Sequence, residues 1–199
     1  MDVSSLGLAI LRTNTKQGKD TVILINKALM EDFPRVLIMF QFAMSGEIVL
    51  RPIGQVRGGR AEPIDDAWDS VEAQIELDPA QFPPEATAGL GEFSHVEVVF
   101  HFDQAAPENI VTGARHPRGN TGWPLVGIFA QRGKDRPNRI GVTVCSLLGV
   151  DGLTLRVRGL DPIDGTPVLD IKPVMKGFLP RGEVREPKWA RELIKGYWS

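Results

Sequence analysis

Short runs of alternating apolar and polar residues, each bounded by glycine or proline, limit most strongly what this chain can become. Between Val71 and Leu77, the residues Ala73, Ile75 and Leu77 alternate with Glu72, Gln74 and Glu76. Val96, Val98, Phe100 and Phe102 share one phase of a later run, and Leu153, Leu155 and Val157 alternate with Thr154, Arg156 and Arg158. A period of two sends successive side chains to opposite faces of a strand, so each run predicts a strand with one buried face. Further strands are predicted over 48–56, where Pro52 suits an edge or a bulge, and over 126–130, 140–150 and 168–171. Asp151–Gly152 signals a hairpin, because type I′ turns require positive φ at both central residues. Many short strands with tight Gly/Pro-rich connections predict a mainly β fold, a small closed or nearly closed antiparallel barrel with short accessory helices. A late helix is expected over 188–195, after Pro187 and before Gly196.

The opening of the chain reads differently. Val22, Ile25, Leu29 and Phe33 fall at helical spacing, with Lys19, Asp20, Lys27 and Glu31 for a wet face. Val36–Phe40 reads as a strand or a buried tail, and Met44–Ser45–Gly46 would make a natural start just before the first convincing strand. The expected organisation is an accessory segment over 1–46 (or a misassigned start), a barrel domain over 47–180 and a C-terminal helix and tail over 181–199.

With 199 residues and 42% hydrophobic content, the chain can bury one real core without staples. The 25 acidic residues nearly cancel the 23 basic ones, leaving a net charge of −2. That balance excludes a globally basic nucleic-acid binder but leaves room for a local basic patch. Cys145 is the one cysteine, which rules out an internal disulfide and points to a reducing cytoplasm. No apolar run approaches the roughly 18–20 residues of a membrane helix, and no charged segment at the start resembles a signal peptide. A cytoplasmic protein without membrane contact is expected.

Phosphate-loop and nucleophile-elbow motifs are absent, and Gly58–Gly59 opens no helix, which disfavours a dinucleotide site. Cys145, inside an alternating run, reads as a buried core thiol rather than a nucleophile. His95, Glu97, His101 and Asp103 share a strand phase and could approach a metal. A further ligand would have to come from elsewhere, however, and the only other histidine is His116. The exposed face of a half-buried strand is the better reading, and no metal is expected. Residues 113–141 place Arg115, Arg118, Arg132, Lys134, Arg136 and Arg139 against a single acid, Asp135. Guanidinium forks match phosphate oxygens, and clustering beside turn residues favours an anion-facing site over a merely solvated surface. Asp161, Asp164 and Asp170 lie in a Gly/Pro-rich turn, where capping and ligand roles both stay open.

These motifs, taken in order, resemble the TrmO/TsaA-like family of S-adenosylmethionine-dependent methyltransferases. The resemblance rests on RPIGQV (51–56), AGLGEFSHVEVVFHFD (88–103), ARHPRGN near residue 115, VGIFAQRGKDRPNRIGVTV (126–144) and LDPIDGTPVLDIKP (160–173). It implies a small β-barrel that binds S-adenosylmethionine at a homodimer interface and N-methylates threonylcarbamoyl-adenosine in tRNA. By position it implies cofactor contacts at Asp103, Gln104, Arg132, Val142, Arg158, Gly159, Leu160 and Asp161. Arg115, Arg118, Arg136 and Asn138 match recurrent polar positions assigned to substrate RNA or to site architecture; no catalytic base is assigned. A small anionic metabolite as acceptor, or a non-catalytic S-adenosylmethionine- or RNA-binding protein, are the alternatives. The family's short Gln-Pro-Gly loop is replaced here by RGGRAEPIDDAWD, and Arg139 stands at the second proline of the family's RPNP.

Overall fold

A β-branched run decides the opening of the chain. In the computed structural model, which describes residues 8–14, 20–26 and 48–199, β1 (Leu8–Asn14) pairs antiparallel with β2 (Asp20–Asn26), from Leu8↔Asn26 to Asn14↔Asp20. The helix expected through Val22 and Ile25 is therefore corrected to a strand. Thr21, Val22, Ile23 and Ile25 are β-branched, and such residues lose less on a pleated backbone than against a helical turn. Leu29, Phe33 and the run over 36–40 lie outside the described residues. The chain divides into two compact units, Met1–Val49 and Leu50–Ser199.

In the second unit, six strands close into an antiparallel barrel. They are β3 (Gly54–Arg57), β4 (Glu72–Leu77), β5 (His95–His101), β8 (Ile140–Asp151), β9 (Thr154–Arg158) and β10 (Pro167–Pro173). Their order around the wall is β10-β3-β4-β9-β8-β5, and the β5–β10 ladder shuts it. A small separate pair, β6 (Ala114–Arg115) with β7 (Val126–Gly127), lies in the long β5–β8 connection. The inward phases fill the barrel: Val56, Ile75, Val96, Val98, Phe100, Leu155, Val157 and Val168 are each at most 1% exposed. Burying one such side chain is worth about 1.5–3 kcal/mol.

Two glycines are dictated by close approach. A Cβ on Gly141 would lie 2.3 Å from the Phe100 ring across the β5–β8 ladder, and one on Gly54 would lie 2.2 Å from the Glu76 carbonyl oxygen. Elsewhere the boundaries differ from expectation. Residues 48–53 are not strand, in keeping with the missing N–H of Pro52. Val126–Ala130 gives only β7 followed by a 3-10 turn over Ile128–Ala130. The β8–β9 hairpin forms where expected, with Asp151 opposite Thr154, but only Gly152 in its loop takes a positive φ, 53°. The type I′ requirement of two left-handed residues is therefore not met. Helix α1 (Lys188–Ile194) follows Pro187.

Because neighbouring strands are antiparallel, β3, β5 and β9 finish at the same barrel end from which β4, β8 and β10 start. Every family-implied site residue lies on that end or in the connections that cover it. Among the described residues, no helix is long and apolar enough to cross a membrane.

Candidate functional site

A polar residue on an inward strand phase needs a partner, because a buried hydroxyl without one costs more than a typical hydrogen bond gains. Thr143 sits between Gly141 and Cys145 on the inward phase of β8 and is 6% exposed. Its hydroxyl donates to Oδ1 of Asp161, and the hydroxyl of Tyr197 donates to Oδ2 of the same carboxylate. Asp161 follows Leu160, a member of the core cluster, so the carboxylate sits where the apolar interior meets the barrel mouth. Burial, seconded by the negative charge of Asp161, pushes the Cys145 thiol up to about 12. That thiol is a core side chain and not a nucleophile at neutral pH. The Tyr197 phenol is likewise pushed above its usual range, by burial first and by the charge and hydrogen bond of Asp161 next, with Arg118 opposing.

The loop replacing the family's Gln-Pro-Gly element is knit to the same mouth. Gly58 N–H donates to Asp164 Oδ1 at 2.9 Å, and Asp164 N–H donates to the Arg60 carbonyl at 2.8 Å. The Arg60 guanidinium donates to the carbonyls of Asp66 (2.7 Å) and Ala67 (2.5 Å) while lying 4.5 Å above the ring of Trp68, which is buried. The amides of Ala67, Trp68 and Asp69 donate to the carbonyls of Gly196, Tyr197 and Trp198 at 3.0, 2.9 and 3.0 Å, adding the C-terminal tail as a short extra rung. Arg118 pairs with Asp66 at 2.8 Å and lies 5.9 Å from the Tyr197 ring centre.

The arginines of the basic stretch bond mostly within the protein. Gln131, 7% exposed, is its hub: Nε2 donates to the carbonyls of Arg115 and Val126, both at 3.1 Å, and Oε1 accepts from Arg115 Nε at 3.4 Å. Arg115 pairs with Asp135 at 2.7 Å, Arg136 donates to the Gln131 carbonyl, and Arg139 donates to the Ala105 carbonyl at 3.0 Å. Arg132 donates to the Val142 carbonyl at 2.5 Å. Arg139 takes φ 51°, which a proline ring held near −65° would forbid, so replacing that family proline goes with a different local backbone.

Arg132 bonds the backbone of Val142 and Asp161 bonds the side chain of the next residue, Thr143. Gly159 and Leu160 are buried anchors, with Gly159 at φ 80° and its N–H donating to the Val71 carbonyl. Arg158 lies on the outward phase of β9, and Asp103 and Gln104 are exposed on the turn after β5. Arg115 and Arg136 meet at Gln131, Arg118 pairs with Asp66 and lies 5.9 Å from the Tyr197 ring centre, and Asn138 is exposed. His95, Glu97 and His101 face out of the barrel wall, and among the described residues no three His, Cys, Asp or Glu side chains converge as a metal would need. Sequence reasoning missed Thr143, Gln131, Trp68 and Tyr197. Thr143 did carry a signal, as a hydroxyl on the apolar phase of β8.

Both signs of charge occur at this end of the barrel: the Asp161 carboxylate and the exposed Asp103 on one side of the balance, the exposed Arg132 and Arg158 on the other. The family model of the tRNA-methyltransferase O N-terminal domain matches residues 60–178. A probable S-adenosyl-L-methionine-binding protein of Pyrococcus abyssi is 36% identical over 145 residues, covering 70% of this chain and 72% of the relative. A tRNA (adenine(37)-N6)-methyltransferase of Mus musculus is 41% identical over 96 residues, which make up 48% of this chain but only 22% of that protein. A crystal structure of TrmO from Pseudomonas aeruginosa superposes with a TM-score of 0.57 at 32% identity, over 70% of this chain and 61% of that one.

Proposed function

As this chain belongs to the tRNA-methyltransferase O N-terminal domain family, we propose that it is an S-adenosylmethionine-dependent methyltransferase acting on an adenosine of tRNA, threonylcarbamoyl-adenosine by the family's pattern. The observation that supports the reading is the barrel mouth, where Thr143 and Tyr197 hold the Asp161 carboxylate and Arg132 bonds the carbonyl of Val142, the residue before Thr143. S-adenosylmethionine, when bound, supplies a methyl carbon on a sulfonium leaving group. The chain's task is then alignment, desolvation and charge complementarity, and holding two reactants in line can supply on the order of 7–11 kcal/mol. Asp161 and Asp103 would offer carboxylates to the donor's cationic centres, Arg132 and Arg158 guanidinium groups to its carboxylate, and Gln104 an amide. Val142, Gly159 and Leu160 would shape the wall. Arg115, Arg118, Arg136 and Asn138 frame the substrate side.

The working form is a homodimer in the cytoplasm, with the barrel over 47–180 as its catalytic unit. Exposed apolar side chains support the dimer: Phe129 is 79% exposed, and Val144, on the outward phase of β8, is 47% exposed. Light scattering at micromolar concentration tests this, and a monomer at all concentrations would refute it. One observation favours a second reading, a small anionic acceptor. Arg115, Arg118, Arg132, Arg136 and Arg139 all bond within the protein, leaving fewer free guanidinium groups for an RNA backbone.

Labelled donor incubated with bulk tRNA, or with a metabolite extract, separates the two readings. Label in nucleosides digested from tRNA supports the first. Arg132→Ala and Asp161→Asn are each expected to lower transfer at least tenfold with melting largely unchanged. Full transfer in both variants would overturn these assignments.

A further inference from the structure

The geometry points to Tyr197 as a positioning residue of the candidate donor site, delivered by the C-terminal tail to hold the Asp161 carboxylate in one orientation. Tyr197 lies beyond residues 60–178, the span matched by the family model, and it is the only tyrosine in the chain. Its place is fixed from several sides. Three backbone hydrogen bonds tie Gly196–Trp198 to Ala67–Asp69, and the Trp198 ring packs edge-on against the tyrosine at 4.9 Å. Upstream, α1 is held by the indole N–H of Trp123, which donates to Glu192 Oε2 at 2.9 Å.

The consequence falls on Asp161. A carboxylate has two oxygens and about four lone-pair directions, and rotation about its terminal bond is soft. Thr143 takes one direction on Oδ1 and Tyr197 takes one on Oδ2, which fixes that rotation and leaves one lone pair on each oxygen for an incoming cationic group. Thr143 comes from the barrel wall and is present in any folded barrel. Tyr197 comes from the tail, so the second constraint exists only when the tail is seated on the 67–69 strip. The tail thereby supplies part of the site that the matched domain lacks. This inference rests on the reading of Asp161 as a donor-binding residue.

The lone tyrosine makes the contact directly measurable in the full chain. Tyrosinate absorbance should appear in the native protein only above the ordinary tyrosine range, and Asp161→Asn should bring its onset down. Tyr197→Phe keeps the ring and every backbone bond of the tail while deleting the hydroxyl. It is expected to weaken donor binding by about tenfold or more, the scale of a hydrogen bond to a charged group, with the thermal midpoint nearly unmoved and kcat at saturating donor largely retained. Unchanged donor affinity in Tyr197→Phe, with weakened affinity in Asp161→Asn, would overturn this inference alone. Ordinary titration of the wild-type tyrosine would also overturn it. Wild-type protein that binds no donor would overturn the proposed function and this inference with it.

Discussion

Replacing Gly141 by alanine asks whether the barrel interior has room for one methyl group. The added Cβ would stand 2.3 Å from Cε2 of Phe100, 2.4 Å from Cζ and 2.9 Å from Cδ2. Ordinary carbon contacts are about 3.5–4.0 Å, so the ring would have to retreat by more than about 1 Å. It has nowhere to go: Phe100 is 1% exposed and meets Phe102 edge-on, with centroids 5.1 Å apart. Overpacking of this kind costs about 1–3 kcal/mol, and a buried ring opposite a registered strand position belongs near the upper limit. At roughly 2–4 °C per kcal/mol for a domain of this size, Gly141→Ala should melt about 6–12 °C below wild type. Phe100→Leu alone should cost about 1–2 kcal/mol, and the double variant should recover about 2 kcal/mol of the summed loss. Thermal and urea melts of all four proteins give the coupling. A Gly141→Ala protein as stable as wild type, or a strictly additive double variant, would refute the argument.

Gly54→Ala tests the same idea against backbone instead of a ring. Its Cβ would sit 2.2 Å from the Glu76 oxygen and 2.9 Å from the Leu77 Cα, so a loss of about 3 kcal/mol or more is expected, and an unchanged urea midpoint would refute it. Cys145, 2% exposed with its thiol near 12, should resist a thiol reagent at pH 8 in the native protein and react at once in denaturant; rapid native reaction would contradict its burial. Both Cys145 and Tyr197 hold their protons more tightly folded than unfolded. Their contributions are therefore complete below the unfolded values and drain away as pH rises. For Cys145 the window runs from its ordinary 9.0 to about 12, at about 1.4 kcal/mol per pH unit, and Tyr197 adds a smaller, solvent-screened share above its ordinary 10.0. Urea midpoints that stay flat between pH 8 and 11 would rule this out.

The barrel was legible because its signal is local. Alternation in Val71–Leu77, Val96–Phe102 and Leu153–Arg158 reports which face is buried, and closure follows from having several such short strands. The β2 strand departs from expectation because Val22 and Ile25, continued by Leu29 and Phe33, also satisfy a helical period, while β-branching at Thr21, Val22, Ile23 and Ile25 argues the other way. The candidate site was marked in the sequence only by motifs. Nothing in the spacing of Arg115, Arg118 and Arg136 tells whether their guanidinium groups face solvent or Asp135, Asp66 and the Gln131 carbonyl. That choice depends on where the loops fold back. Tyr197 meets Asp161 across 36 residues of sequence, a pairing set by the tail's backbone bonds to 67–69 and by no periodic pattern.

The β5–β10 ladder also bears on how copies of the barrel behave when crowded. With that ladder formed, each of the six wall strands has a neighbour on both sides over at least part of its length, which shortens the rows of bare amides and carbonyls that could template a fibril. Sticking between barrels at high concentration should therefore favour side chains such as Phe129 and leave the infrared amide signature of the barrel sheet largely intact.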